Sequence, residues 1–381
     1  MKIAATIAEY NPLHTGHLYH IGKTKEALQP DVFAVVMSGN FTQRGDIAVA
    51  EKHLRAAAAV KAGADVVLEI PSFYAVNCAE KFAEGALKTL SCFNSPLVLS
   101  FGSECGDIAV LKKLSETVHN EKEDFKNKIK NELKKGGSYP SARAAALGLA
   151  ELDKPNDILA LEYLHFAEKY GFDAFTVKRE GAYNDNSADG KYASANAIRN
   201  YIFNGKIDNI KHFLPDYMLS SLTNCVFNNA LGDMLFYKFG TMTKEEAARL
   251  NEVSEGLENR ILDALGRSSD YESLCANVKT KRYTMARIKR IFLYALFGLD
   301  KADAEALYQT PPYARVLAAK SGREDVLSLL SGAGGGLILR GRDANGLSQK
   351  VRLALAYENK VDNVYAAASK QKSPFNAVFA D

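Results

Sequence analysis

Short apolar runs alternate with amphipathic stretches through the first half of this chain. Residues 3–8, 32–37, the run DVVLEIP from Asp65 and the run PLVLSFGSE from Pro96 are almost purely apolar, and each stops at polar, Gly- or Pro-rich residues. That pattern predicts strands buried on both faces. Between them lie helical stretches: one from about Gly16, one across VAEKHLRAAAAVKAG, and one near residues 79–90. Residues 107–135 form a charged helical stretch that ends at a Gly-Gly-Ser-Tyr-Pro break. A helix over 156–170 then leads into the strand FDAFTVKRE, the loop GAYNDNSADGKY, and a further helix starting after Ser194.

Strand and helix alternating through short connections predict an α/β fold. Its core is a Rossmann-like parallel sheet flanked by helices, with every strand-end loop on one edge. Those loops are EYNPLHTGH, SGNFTQRGD, EIPSF and FGSECGD. After residue 203 the pattern becomes mostly helical. One helical stretch opens with a capping box, Thr243 to Glu246, and continues with Leu250, Val253, Leu257 and Ile261 on one face. Another covers 283–297, and SGAGGG from Ser331 reads as a turn or hinge. The expected division is residues 1–203 as one domain and 204–381 as a second, mostly helical one.

Composition narrows the picture only a little. The 381 residues are 47% hydrophobic, enough for a large core, and 48 Lys and Arg against 45 Asp and Glu leave a net charge of +3. A polyanionic partner is therefore permitted only where positive charge clusters locally. The five cysteines are isolated, which argues against a thiolate zinc site or a disulfide framework and for buried free thiols in a reducing cytosol. The N-terminus turns polar too soon for a signal peptide, no apolar run reaches spanning length, and a cytoplasmic location is expected. P-loop, GxSxG and zinc-deaminase signatures are absent.

The strongest chemical signal is Asn11-Pro12-Leu13-His14-Thr15-Gly16-His17, between the first strand and a helix. Gly16 lets backbone approach a ligand, the helix start favours phosphate, and His14 and His17 face one side. Two imidazoles aimed at one phosphate can stabilise charge that builds on its oxygens. The ordinary alternative is a pair of surface histidines. Asn40, Thr42, Gln43 and Arg44, on the next strand-end loop, are candidates for an acceptor substrate, or a solvated loop. Lys52 and Arg55 read as surface residues of a helix. Asn156 or Asp157 reads as a helix cap, with Asn156 also able to reach a nucleotide. Lys178 and Arg179 end the last clear strand, and Ser194 and Arg199 flank a helix start that can face phosphates. Lys281, Arg282, Arg287 and Arg290, with Lys289, Tyr283 and Phe292, form the densest basic cluster. It is either a nucleic-acid contact or a solvated helix face.

At His14-Thr15-Gly16-His17 the chain resembles the HxGH nucleotidyltransferase superfamily. The blocks IAEYNPLHTGHLYH, VMSGNFTQRGD, SYPSAR, PNDILALEYL, Lys178-Arg179 and TKRYTMARIKR, in this order, resemble the bacterial tRNA(Met) cytidine acetate ligase family. That resemblance implies a nucleotidyltransferase-type fold and activation of acetate by ATP. The acetyl group would then pass to N4 of the wobble cytidine of elongator tRNA(Met). It implies an ATP site made by Ile7, Ala8, Glu9, Tyr10, Asn11, Pro12, Leu13, His14, Thr15, Gly16, His17, Leu18, Tyr19, His20, Gly102, Asn156, Lys178, Arg179 and Ser194. His14, His17 and Arg199 would be catalytic, and magnesium would accompany the nucleotide. No metal is expected to be held by the protein itself. Asn40, Thr42, Gln43 and Arg44 are the acetate candidates, and the helices after residue 203 would carry the tRNA. Two other readings of the same fold stay open: a nucleotidyltransferase for small molecules, and a non-catalytic RNA-binding protein.

Overall fold

The computed structural model describes residues 1–119, 123–134, 142, 145, 154–180, 192–330 and 334–381. SYPSAR but for Ala142, the Gly-Gly-Ser-Tyr-Pro break, all of the GAYNDNSADGKY loop but Tyr192, and the first half of SGAGGG lie outside the described residues.

Five parallel strands form the centre: β1 (Ile3–Ala8), β2 (Val32–Ser38), β3 (Val66–Ile70), β4 (Leu97–Ser103) and β5 (Asp173–Lys178). The chain runs β1, β2, β3 in one direction, then crosses to the other side of β1 for β4 and β5. The crossing leaves a crevice beyond the carboxyl ends of β1 and β4, the place where such sheets hold ligands. The period of two divides the strands cleanly. Ala34 and Val36 point into one core, and Phe33, Val35 and Met37 into the other.

The sheet is not wholly parallel, as the sequence pattern suggested. The largely helical region after residue 203 returns to it through β6 (Ala314–Lys320), which pairs antiparallel with β3. Two short strands, β7 (Leu337–Ile338) and β8 (Val378–Ala380), pair with β6. Charge stitches this return in place. Arg315 of β6 and Lys52 of the helix Lys52–Lys61 face Glu69 of β3 and Asp362 of the helix Gln349–Ser369. Lys52 sits 2.8 Å from Glu69 and 2.7 Å from Asp362, and Arg315 lies 2.9 Å from Glu69. Two cations against two anions make this interior group tolerable, because a buried charge is costly unless paired. Glu358 nearby is held above the ordinary carboxylate range by burial and by Glu69.

Other local expectations also shift. The capping box at Thr243 and Glu246 is present, but the helix it starts covers only Lys244–Arg249. Left-handed backbone at Glu252, Glu255 and Gly256 interrupts it before Leu257–Leu265. Leu250, Val253, Leu257 and Ile261 are nonetheless all buried, so the apolar face was read correctly although the helix was not continuous. The helix Pro155–Tyr170 has no side-chain cap, because Asp157 turns away to bind other amides. Only Cys92 and Cys275 are buried, and Cys78 is exposed. No helix among the described residues is long and apolar enough to cross a membrane.

Arg55, which reads as a surface residue in the sequence, is fully buried. Its guanidinium donates to the carbonyls of Glu9 (2.5 Å), Gly39, Ser38 (3.4 Å) and Ala50 (2.9 Å). These acceptors come from the loops that follow β1 and β2, so one side chain clamps both together. Arg55→Met should therefore cost about 3 kcal/mol or more, since each buried carbonyl left without a donor costs about 1 kcal/mol or more. Denaturant unfolding measures this, and a loss below about 1 kcal/mol would show that the loops are held by something else.

Candidate active site

The helix Thr15–Leu28 begins at the crevice with His14 as its N-cap. His14 Nδ1 accepts the Gly16 amide at 3.1 Å, and His17 Nδ1 accepts the His14 amide at 3.2 Å. Each bond requires a lone pair on Nδ1, so the neutral ring carries its proton on Nε2. The rings lie side by side with centroids 3.8 Å apart. Gly16 is required, since a Cβ there would come within 2.9 Å of His14 Cε1. The helix-start amides expected to meet phosphate are largely used internally: Gly16 binds the His14 ring, and His17 and Leu18 bind the His14 carbonyl. The donors left at this end of the helix are the Thr15 amide and the imidazole Nε2–H groups, backed by the helix dipole. Thr15 Oγ1 is buried and has no partner among the described residues, as a hydroxyl awaiting a ligand oxygen would be.

Both imidazoles are poor bases. Burial, then Arg179 and Arg199, pushes His14 down to about 3. Burial, His14, Arg179 and His20 hold His17 well below its ordinary value. His20 falls to about 4 through burial and Arg179, and its Nε2 meets Ser100 Oγ of β4 at 3.1 Å. Neutral imidazoles at physiological pH act as hydrogen-bond donors, not as cations.

The β4 side of the crevice is built by a reciprocal clamp. Glu104 accepts from Asn156 Nδ2 (2.6 Å) and the Asp157 amide (3.1 Å). Asp157 accepts from the Glu104 and Cys105 amides at 2.9 and 3.1 Å. Arg179 is exposed, its Nε 3.9 Å from Glu104 and its stem over Gly102, where a Cβ would lie 3.3 Å away. Lys178 is exposed and packs under Gly106. Across the crevice Arg199 donates to the Asn11 carbonyl at 2.9 Å and to Asn196 at 3.3 Å. Ser194 caps the helix Ala195–Phe203 through the Ala197 amide. The structure thus brings His14, His17, Gly102, Asn156, Arg179, Ser194 and Arg199 to one edge. Sequence reasoning missed Glu104 and Ser100, which no motif marks.

The β2 side corrects the acceptor candidates. Asn40 is buried and spends its amide on Asp362, Ser373 and the Lys52 amide. Thr42 is buried and bonds within its own loop to Asp46. Gln43 gives its side-chain amide to the Asn77 carbonyl, while Arg44 is exposed. Asn40 and Thr42 therefore hold the loop, and of the four only Gln43 and Arg44 remain near the surface.

The basic cluster divides in the same way. Lys281 and Arg282 are exposed, with Arg282 2.8 Å from Glu255. Arg287 bonds the Glu252 carbonyl and Ser254. Arg290 is buried against the Glu252 carboxylate at 2.8 Å, so a phosphate would have to displace Glu252 to reach it. Tyr283 and Phe292 belong to the core and cannot stack on bases. Lys289 binds Asp46 at 2.7 Å, and Gly45 is backed so closely by Lys289 and Arg290 that a Cβ would strike their backbone. The helix Met285–Phe297 is thus docked on the loop that follows β2.

Comparisons with known proteins bear on the family and the fold. A family model described as HIGH nucleotidyl transferase matches residues 1–377. A tRNA(Met) cytidine acetate ligase of Clostridium tetani is 36% identical over 400 residues, covering 99% of this chain and 98% of the relative. The protein of that name from Caldicellulosiruptor saccharolyticus is 40% identical over 337 residues, covering 84% of this chain and 83% of its own. Crystal structures of Thermotoga maritima TmcAL superpose over 100% of both chains. The apo form has a TM-score of 0.91 at 31% identity, and the form bound with alpha-thio ATP has 0.90 at 30%.

The lowered His14 pKa has a consequence for stability. The unfolded chain takes up a proton at His14 below about 6.5, while the folded one does so only near 3. Stability is therefore fully present above the unfolded value and is lost as pH falls between the two. At pH 5 the loss from His14 amounts to about 2 kcal/mol. His14→Asn should flatten the fall of unfolding free energy between pH 7 and 5 by about that much. An unchanged slope would mean that His14 protonates freely in the folded state.

Proposed function

Because the chain belongs to the tRNA(Met) cytidine acetate ligase family and is a ligase of that kind, we propose that it makes N4-acetylcytidine at the wobble position of elongator tRNA(Met) in two steps. Acetate attacks the α-phosphate of ATP and releases pyrophosphate, and the cytidine N4 amine then attacks the acetyl-adenylate and releases AMP. The observation that carries this reading is the His14–His17 pair, two neutral donors fixed at the switch-point crevice.

In the first step the Nε2–H groups of His14 and His17 bind α-phosphate oxygens as their charge rises. Fixed donors of this kind need no reorganisation during reaction. Arg179 and Arg199 flank them and receive the outer phosphates. Thr15 Oγ1 is a further donor within the turn. Binding of alpha-thio ATP by the Thermotoga maritima relative supports ATP as the nucleotide. Acetate is already an anion, so its attack needs no base, and positioning is the main demand. Gln43 and Arg44 are the side chains proposed to place it.

Among the described residues no group of three or more His, Cys, Asp and Glu is arranged to hold a metal ion, and Glu104 and Asp157 are occupied by amides. Magnesium accompanying the nucleotide would offset charge on the departing pyrophosphate. Lys281 and Arg282, exposed beside the docked helix, are the proposed contacts to the tRNA backbone.

Incubation with labelled acetate, ATP and total bacterial tRNA should yield labelled N4-acetylcytidine in a single tRNA species. Label spread over many tRNAs, or none in RNA, would reject the assignment. His17→Ala should slow acetyl-adenylate formation about 100-fold or more while changing the tRNA Kd little. A matching loss of tRNA affinity would contradict that division. Lys281→Ala combined with Arg282→Ala should make the log–log salt dependence of tRNA binding shallower by about 1 to 2, and an unchanged slope would clear both of the role.

A further inference from the structure

We infer that Glu9 is the general base that receives a proton from the cytidine N4 amine as it attacks the acetyl-adenylate. This rests on the two-step reaction proposed above and assigns Glu9 to its second step, away from nucleotide binding. Glu9 follows β1 directly, and its Oε1 accepts the Gln43 amide at 2.7 Å. It therefore leans toward the loop after β2. Gly102, Asn156 and Arg179, which suit the nucleotide, gather on the β4 side, where His20 also meets Ser100. Its Oε2 has no protein hydrogen bond among the described residues and is free to meet a substrate.

The chemistry narrows its partner. A carboxylate repels phosphate and acetate at short range, so it is misplaced as a binder of either. Of the reactants, only the amine must lose a proton. The N4–carbonyl carbon bond forms, and the bond from that carbon to the adenylate oxygen breaks with its electron pair going to AMP. The N4 proton passes to Glu9 and then to solvent.

The surroundings tune the carboxyl for this work. Burial raises its pKa, and the nearby Asp46 adds to the rise. The Gln43 amide, Arg44 and Arg199 oppose the rise without cancelling it, and Tyr163 and Arg55 are further titratable or charged neighbours. The group is thus more basic than a free carboxylate, which is what a general base near neutral pH requires.

The test separates the two steps. Acetyl-adenylate formation is read by acetate-dependent pyrophosphate exchange, and transfer by single-turnover acetylation of tRNA. Glu9→Gln keeps the shape and an acceptor for the Gln43 amide. It should slow transfer about 100-fold more than it slows adenylation, within the usual range for losing a general base. In the wild type, transfer should rise with pH through the Glu9 pKa, and in Glu9→Gln that rise should vanish. Glu9→Asp, which retains a base, should recover part of it. Equal losses in both steps, an intact rise with pH in Glu9→Gln, or Glu9→Asp behaving like Glu9→Gln would each overturn the assignment. A wild type that forms no acetyl-adenylate would instead overturn the two-step reading beneath it.

Discussion

The Arg55 guanidinium is the constraint on which the site depends. Strand ends leave carbonyls without ladder partners, and here those of Glu9, Ser38, Gly39 and Ala50 converge on one buried cation. A rigid fork of five donors suits such a task better than an ammonium would. Because the Glu9 carbonyl is held, the chain enters the His14 turn at a fixed angle. Because the Ser38 and Gly39 carbonyls are held, the Gln43 amide is presented to the Glu9 carboxylate. Asn11 adds a parallel tie through the Val49 amide. The geometry of the first two strand-end loops is thus set by a residue that touches no reactant.

The same logic extends to the far half of the chain. Lys52 stands three residues before Arg55 on the same helix and joins Glu69, Asp362 and, through them, Arg315. The C-terminal helix and β6 are therefore fixed to the sheet by balanced charge in the interior. Asp46 is a second junction. Burial works against its ionisation, but Lys289, Arg199 and Asn228 outweigh that and hold its pKa below the ordinary value. Since Asp46 lies in the loop after β2 and Lys289 on the basic helix, the proposed tRNA surface and the HxGH turn are tied to one support. For group transfer between two large substrates, such a fixed relation replaces a chance encounter with a near-attack geometry.

What was legible in the sequence was local. Short apolar runs closed by polar, Gly- or Pro-rich residues gave the five parallel strands, and the HxGH turn stood out because its spacing and its strand–helix setting occur together within a few residues. What was hidden depended on partners far away. Nothing near Arg55 in the chain announces carbonyls from residues 9 and 39, and nothing near Arg315 announces Glu69. The basic run from Lys281 looked uniform, yet Arg290 faces a carboxylate presented by a left-handed turn at Glu252, while Lys281 and Arg282 face solvent. Asn40 reads as a ligand contact in a polar loop until Asp362 and Ser373, more than three hundred residues later, take its amide.

Burial assigns opposite roles to neighbouring groups through one physical effect. Removing water disfavours whichever form is charged. For His14, His17 and His20 that form is the cation, so their proton affinity collapses and they remain donors. For Glu9 it is the anion, so its proton affinity rises. Imidazoles are the usual choice for moving a proton near pH 7, but here they cannot do so without surrendering the Nδ1 bonds that build the turn. Charge stabilisation on the phosphate side and proton acceptance on the amine side therefore fall to different residues, tuned in opposite directions by the same loss of solvent.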